Sequence, residues 1–317
     1  MDVRQGADHQ DHGSPVNGPV FITGHSGLLG SALVRALAGC EIITATRAEL
    51  DLRDAAAVEQ FIAEKKPATI IHAAARNAGV LVHLRQPTGM LLDNMDVALN
   101  VIRAAARCRV PRLLYVSSAT AFAGNENAVA GVTLGATGGY ALAKIAGMKL
   151  CTAVREEQKL TYHSISPCNL YGPGDHYGEQ ATVVAGMMRR MHDAMHQGDR
   201  VFKVWGSGRQ TREFLHAADL ADACLWLLEY PQPPDHVACG SGISTSMLEL
   251  ATLLQEVTGY DGARETDPAK PEGTPRPALG HAWLREQHWQ PSIALPGGLR
   301  DTYAAFVAAT AAGTLRE

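Results

Sequence analysis

Long apolar runs are missing from the 317-residue sequence. No segment reaches transmembrane length, and no signal-peptide apolar centre stands at the N-terminus, so neither a membrane nor secretion is expected. A basic stripe is also missing: Lys and Arg are scattered and the net charge is -4, which argues against a nucleic-acid partner. The six cysteines form no Cys-x-x-Cys pair. They read as reduced thiols in a cytoplasmic protein, not as a disulfide frame. No internal repeat is present. Hydrophobic residues make up 46%, an ordinary globular value, and the length fits one large domain or two intimate ones.

Residues 1–18 are polar and rich in Gly, Asp and His, and read as a flexible tail. At Pro19 the character changes. A short apolar strand pattern, residues 20–23, runs into Gly24-His-Ser26-Gly27-Leu28-Leu-Gly30 and then into a helical run. Strand, glycine-rich turn and helix is the context a dinucleotide fingerprint requires. The glycines permit a tight turn and a close backbone approach, and the helix N-terminus faces a pyrophosphate with its positive end. The second strand, residues 41–46, carries no acidic residue at its end to accept a ribose 2'-hydroxyl. Arg47 follows instead, which suits the 2'-phosphate of NADP(H). Asp51 and Leu52 come next, where they would border the adenine.

Strand and helix then alternate up to about residue 170. Ala73 and Ala75 end the third strand and let backbone approach a ligand. Ser118 and Thr120 lie at the carboxyl end of the fourth, where open parallel sheets bind ligands. A helix from residue 139 carries Tyr140-Ala-Leu-Ala-Lys144, which puts a phenol and an ammonium on one helical face. A nearby ammonium lowers a phenol's pKa and brings it closer to acid/base use. The fold class expected is α/β, a doubly wound parallel sheet with a smaller C-terminal substrate-binding α/β domain. Residues 19–170, with parts of 205–245, would form the cofactor domain; residues 171–204 and 246–317 would form the substrate domain. Arg190, Arg212 and Arg276 could clamp a diphosphate. His192 and His196 stand at helical spacing, but aspartate follows the first where a zinc protease needs glutamate, and no metal is expected.

Gly24-x-x-Gly27-x-x-Gly30, Ser118 and Tyr140-x-x-x-Lys144, in that order, resemble the extended short-chain dehydrogenase/reductase superfamily. Within it, residues 140–151, 169–173, 204–208, 212–216 and 270–276 resemble the GDP-L-fucose synthase family of epimerase-reductases. The resemblance implies that Tyr140 protonates a C4 oxygen, that Lys144 binds the nicotinamide ribose, and that Ser118 hydrogen-bonds the carbonyl. It implies a nucleotide-sugar, GDP-linked, contacted by Asn169, Arg190, Trp205, Arg212 and Lys270, and a homodimer packed through the Tyr140 helix.

The departures set the expectation for activity. That family epimerises with a cysteine and a histidine, because moving a proton alpha to a ketone needs groups that titrate near neutrality. Here Thr120 and Thr182 align with those positions. Cys168, His176 and Glu179 are near enough in sequence to be substitutes. The expectation is an NADPH-dependent C4-keto reductase without epimerase activity. The rival enzyme reading is an epimerase, since Ser118-Ala-Thr120 also resembles the strand end of UDP-galactose 4-epimerases.

Overall fold

The computed structural model describes residues 17–122, 138–179, 181–270 and 278–317. The tail expected at 1–18 and Arg276 fall wholly or largely outside them.

Six parallel strands form the main sheet: β1 Val20–Thr23, β2 Ile42–Ile43, β3 Thr69–His72, β4 Arg112–Val116, β5 Thr161–Pro167 and, counted later along the chain, β9 His236–Cys239. Their order is β2-β1-β3-β4-β5-β9. The order reverses between β1 and β3, which makes that point the crevice where doubly wound sheets bind ligands. β1 and β3 are buried at every position, as strands covered on both faces must be.

Helices α1 Leu28–Ala36, α2 Ala55–Lys65, α3 Val80–Arg85, α4 Pro87–Arg107 and α5 Gly138–Gln158 connect these strands. Asp54 caps α2: its carboxylate accepts from the amides of Ala56 and Ala57 at 3.0 and 3.1 Å. One hydrophobic core lies between the sheet and α1, with Leu33, Ile22 and Leu114 in it; the other lies between the sheet and α2, α4 and α5, around Val101, Leu113 and Tyr162.

From β5 the chain runs through Cys168 into β6 Asn169–Tyr171, which leaves the main sheet. There follow α6 Val183–Gln197, β7 Val201–Trp205, β8 Thr211–His216 and α7 Ala217–Glu229; then, after β9, β10 Ser244–Ser246, α8 Met247–Thr258, β11 Ala263–Asp267, α9 Ala282–Glu286 and α10 Leu295–Ala311. β10, β8 and β6 form a three-stranded sheet, and β11 pairs parallel with β7. A third core of Met188, Phe202, Phe214, Leu250 and Phe306 joins α6, α8 and α10 to these strands.

The second strand is shorter than expected. Beyond Ile43 the backbone leaves the sheet edge, and the Thr46 amide instead donates to the Glu49 carboxylate at 2.7 Å. An edge strand with one neighbour has little to hold its end against such a local turn.

Candidate active site

Two glycines place the helix that carries Tyr140 and Lys144. A Cβ on Gly147 would stand 2.5 Å from the Tyr115 ring, so α5 lies closer to β4 than any side chain would allow. A Cβ on Gly139 would stand 3.0 Å from the Pro87 carbonyl oxygen, so the start of α5 is pressed against the start of α4. Tyr140 and Lys144 are consequently buried, 7% and 3% exposed, beside the carboxyl end of β4.

Ser118 is at that end, in extended backbone that starts a short 3-10 turn. Its hydroxyl accepts from the Thr120 amide at 3.2 Å and lies 3.1 Å from the Thr120 hydroxyl, which donates to it. It also hydrogen-bonds the Tyr140 phenol. Ser118, Thr120, Tyr140 and Lys144 are therefore one cluster. The Lys144 ammonium donates to the Val116 carbonyl oxygen at 2.8 Å and lies 5.0 Å from the Tyr115 ring centre and 5.7 Å from that of Tyr140.

The expectation that Lys144 lowers the phenol's pKa is corrected by burial. Removal from water pushes the Tyr140 phenol up, and the Ser118 hydrogen bond offsets only part of this. Lys144 is itself pushed down to about 7 by burial. Helical spacing gives a shared face but not the depth of that face, and here depth wins. Behind the lysine, buried His72 is pushed down to about 3 by burial and by the nearby Lys144 charge; its Nδ1 is 2.6 Å from the Thr23 hydroxyl.

The glycine-rich turn fits a dinucleotide. Gly24 has φ +70°, and a Cβ there would meet Ala74 Cα at 2.9 Å; a Cβ on Gly30 would stand 2.0 Å from the Gly24 carbonyl oxygen. Gly27 begins α1 with no side-chain cap, so the first amides of the helix are not claimed by a side chain. Ser26 is exposed and Leu28 half-buried on this turn, and Ala75 is exposed opposite it. The Ala74 amide donates to the Thr23 hydroxyl at 3.2 Å, which ties the end of β3, with Ala73, to the turn. Arg47 is 75% exposed and 3.9 Å from Asp51. Asp51 is paired with Arg53 at 2.6 Å, which holds its carboxylate down at about 2. Leu52 is half-buried, and its carbonyl accepts from the Asn100 side chain at 3.1 Å.

A second cluster lies at the end of β7, in the two-stranded sheet. Trp205 has the Arg190 guanidinium 5.0 Å and the Lys270 ammonium 5.7 Å from its ring centre. Arg190 also donates to the Lys203 carbonyl at 3.0 Å, and Arg212 to the Thr211 carbonyl at 2.7 Å. Asn169 is exposed on β6, and its amide donates to the Glu213 carbonyl at 2.9 Å. Thr182, at the N-terminus of α6, donates to the Asp175 carboxylate at 3.5 Å.

The three substitutes considered for epimerisation are placed differently from one another. Cys168 is buried, and burial pushes its thiol up, away from thiolate chemistry. Glu179 is exposed and pairs with Arg85 at 3.7 Å. His176 Nδ1 accepts from the Gly178 amide at 3.3 Å. Three further groups were not singled out by the sequence. Asp175 is buried, and burial pushes its carboxyl up to about 6. Glu213 is buried on β8, and its carboxylate accepts from the amides of Gly242 and Leu279 at 2.5 Å and of Gly280 at 3.2 Å. An acidic residue inside an otherwise buried strand was the available signal for it. The His83 ring meets that of Tyr140 edge to face, with centres 5.5 Å apart.

A doubly wound parallel sheet, a Gly-x-x-Gly-x-x-Gly turn at its switch point, and a Ser/Tyr/Lys cluster on the neighbouring strand end define an enzyme of the extended short-chain dehydrogenase/reductase superfamily. The chain belongs to the NAD dependent epimerase/dehydratase family, whose model matches residues 20–240. It is 39% identical over 295 residues to GDP-L-fucose synthase 1 of Arabidopsis thaliana, covering 90% of this chain and 91% of that one. A GDP-L-fucose synthetase from Naegleria fowleri bound to NADP shares the fold with TM-score 0.85 and 23% identity, covering 95% of each chain. The GDP-mannoheptose C4 reductase MlghC from Campylobacter jejuni, with NADP bound, shares it with TM-score 0.79 and 24% identity, covering 92% of this chain and 98% of that one. Among the described residues no helix is long and apolar enough to cross a membrane, and no group of three or more metal-ligating side chains is present.

Proposed function

We propose that this enzyme is an NADPH-dependent C4-keto reductase of a GDP-linked 4-keto-sugar, with 3,5-epimerase activity lost. Residues 19–170, with parts of 205–245, would hold the cofactor, and residues 171–204 and 246–317 the nucleotide-sugar. The Gly24–Gly30 turn would take the pyrophosphate and Arg47 the 2'-phosphate. The bound cofactor supplies the hydride.

Tyr140 holds its proton at neutral pH because burial pushes the phenol up. That does not disqualify it as the acid. The alkoxide developing at C4 is a stronger base than a phenolate, so a phenol placed at that oxygen loses its proton downhill. Ser118 orients the phenol, and on substrate binding its one proton would turn to the carbonyl oxygen, beside the proton that Tyr140 gives. Lys144, one helical turn from the phenol and bonded to the Val116 carbonyl oxygen, would hold a ribose hydroxyl of the cofactor. Relatives named for GDP-L-fucose and GDP-L-colitose synthesis support a GDP-sugar. Trp205, flanked by Arg190 and Lys270, supports a face for a flat base and its phosphates. Exposed Leu92 on α4 and Leu142 on α5 are consistent with a homodimer through those helices.

The observation that carries the loss of epimerisation is the pair of hydroxyls at Thr120 and Thr182. Neither titrates near neutrality. A 4-keto GDP-sugar supplied with NADPH in deuterated water should give one reduced product without deuterium at C3 or C5. Deuterium at either carbon would refute the reading. One observation favours a second reading, residual epimerisation: buried Asp175, pushed up to about 6, lies behind Thr182. The same deuterium measurement in Asp175→Asn separates the two, because exchange that vanishes with the carboxyl belongs to it.

A further inference from the structure

His83 is the one aromatic partner that the Tyr140 ring has from outside its own helix among the described contacts. The imidazole comes from α3, a short helix between β3 and α4, and it is 4% exposed. Its ring plane stands at 76° to the phenol ring, with centres 5.5 Å apart. That is the edge-to-face arrangement aromatic pairs prefer, and it resists rotation of either ring.

α3 is held on two sides. A Cβ on Gly79, which precedes it, would stand 2.8 Å from the Ala181 carbonyl oxygen, so the helix start rests on the backbone before α6. At its other end Arg85 pairs with Glu179 at 3.7 Å. The start of α3 thus rests on the backbone that follows β6, the exposed Arg85–Glu179 pair adding little, and the helix delivers a flat side chain against the proposed acid. Among the described contacts, the charged and titratable groups around this pair are Lys144 and the Ser118-bound phenol on the Tyr140 side, and Arg85 with Glu179 on the α3 side.

Ser118 constrains the phenol oxygen, but a single hydrogen bond at the tip of a ring leaves the ring free to turn about its long axis and to tilt. We infer that His83 is a positioning residue for Tyr140: its ring supplies the lateral wall that fixes the phenol plane in line with the reacting oxygen. This rests on the reductase reading for its catalytic consequence, but not for its structural one. The edge-to-face contact with Tyr140 is made by a flat ring, so phenylalanine should replace it in this role and a small or merely polar side chain should not. Proton-transfer geometry is steep in distance and angle, so a loosened phenol lowers turnover while substrate binding stays intact.

The test uses the full-length enzyme with His83→Ala, His83→Asn and His83→Phe. With a 4-keto GDP-sugar and NADPH, Ala and Asn should lower kcat about tenfold with KM changed less than about twofold, and should raise the solvent deuterium isotope effect on kcat, as expected when proton-transfer geometry worsens. Phe should restore kcat to within about threefold of wild type. An unchanged kcat in Ala, a loss confined to KM, or failure of Phe to restore turnover would overturn the inference. A second readout needs no substrate. In protein labelled with 13C at the tyrosine ring ε carbons, with the Tyr140 signals assigned through Tyr140→Phe, wild type and His83→Phe should show two separate Tyr140 ε signals. His83→Ala should show them merged by fast ring flipping. If wild type reduces no keto-sugar, the activity reading falls and the ring-flip result alone decides the role of His83; merged signals in wild type would refute it.

Discussion

Lys144 donates to the Val116 carbonyl oxygen at 2.8 Å while its ammonium lies 5.7 Å from the Tyr140 ring centre. The lysine is therefore tied to the sheet it packs on, and burial pushes it down to about 7 from 10.5. A lowered base prefers its neutral form in the folded state. The folded protein then binds fewer protons than the unfolded chain between pH 7 and 10.5, and stability rises with pH across that window. Lys144→Met should stabilise the protein at pH 7 by about 2 kcal/mol, because it removes a buried ammonium held by one hydrogen bond. It should also flatten the rise above pH 7 and abolish reduction. Urea unfolding of both proteins at pH 7 and pH 9 checks the sign; a destabilised Met variant at pH 7 contradicts it.

The acid and its support can be separated from folding. Tyr140→Phe should lower turnover by about 10²–10⁴ with little change in melting temperature or NADPH binding, as expected for loss of a general acid. Ser118→Ala should cost about 10² through the lost hydrogen bonds to phenol and carbonyl. Steady-state rates and cofactor fluorescence titration are the measurements.

Gly30→Ala tests the cofactor turn. Its Cβ would stand 2.0 Å from the Gly24 carbonyl oxygen and 2.7 Å from His25 Cα, so backbone must move. The expected result is loss of measurable NADPH binding and a stability cost of about 3 kcal/mol, the upper end for overpacking. Retained cofactor affinity would place the dinucleotide elsewhere.

Asp175 has the opposite electrostatics to Asp51. Its carboxyl is raised from 3.8 to about 6 by burial, so the folded state prefers it protonated. The folded protein holds the extra proton between pH 3.8 and 6, and stability falls as pH rises through that range. Above pH 6 the cost is fully present. Asp175→Asn should therefore stabilise by about 2 kcal/mol at pH 7 and by little at pH 4. The difference in urea midpoint between variant and wild type, followed from pH 4 to 7, is the readout.

Glu213 gathers the amides of Gly242, Leu279 and Gly280 around one buried carboxylate. Glu213→Ala leaves three donors without an acceptor and should cost about 3 kcal/mol, while Glu213→Gln, which keeps one acceptor oxygen, should cost less. Thermal melts of both variants order them.

Much of the first half of the chain was legible. The strand, glycine turn and helix that begin at residue 20 were marked by the order and spacing of their residues. α8, Met247–Thr258, carries its bounds in its residues: Ser246 and Glu249 form a capping box and Gly259 ends the helix in the left-handed region. β11 was not legible: four of its five residues are exposed, so it has no apolar face to read, and it exists through pairing with β7. In the site, Ser118 was singled out by its strand end, Tyr140 and Lys144 by helical spacing, and the three as a set by the family resemblance; the structure brings them together. Their electrostatics were not found, since burial depends on Gly147 letting α5 down onto Tyr115. The contact between His83 and Tyr140 carries no signal in either segment, because it arises only when α3 and α5 meet.

The path from β5 to β6 passes through a single residue, Cys168, and β8 runs directly into α7 at His216 and Ala217. These two crossings between the six-stranded and the three-stranded sheet are thus stiff, strand into strand and strand into helix. The third, from β9 to β10, runs through residues 240–243 and is pinned at the Gly242 amide by Glu213 of β8. A door needs a slack joint, and none of the three is left loose. Motion of one sheet against the other is accordingly a small shear of packed layers, and larger displacement falls to the loops at their rims.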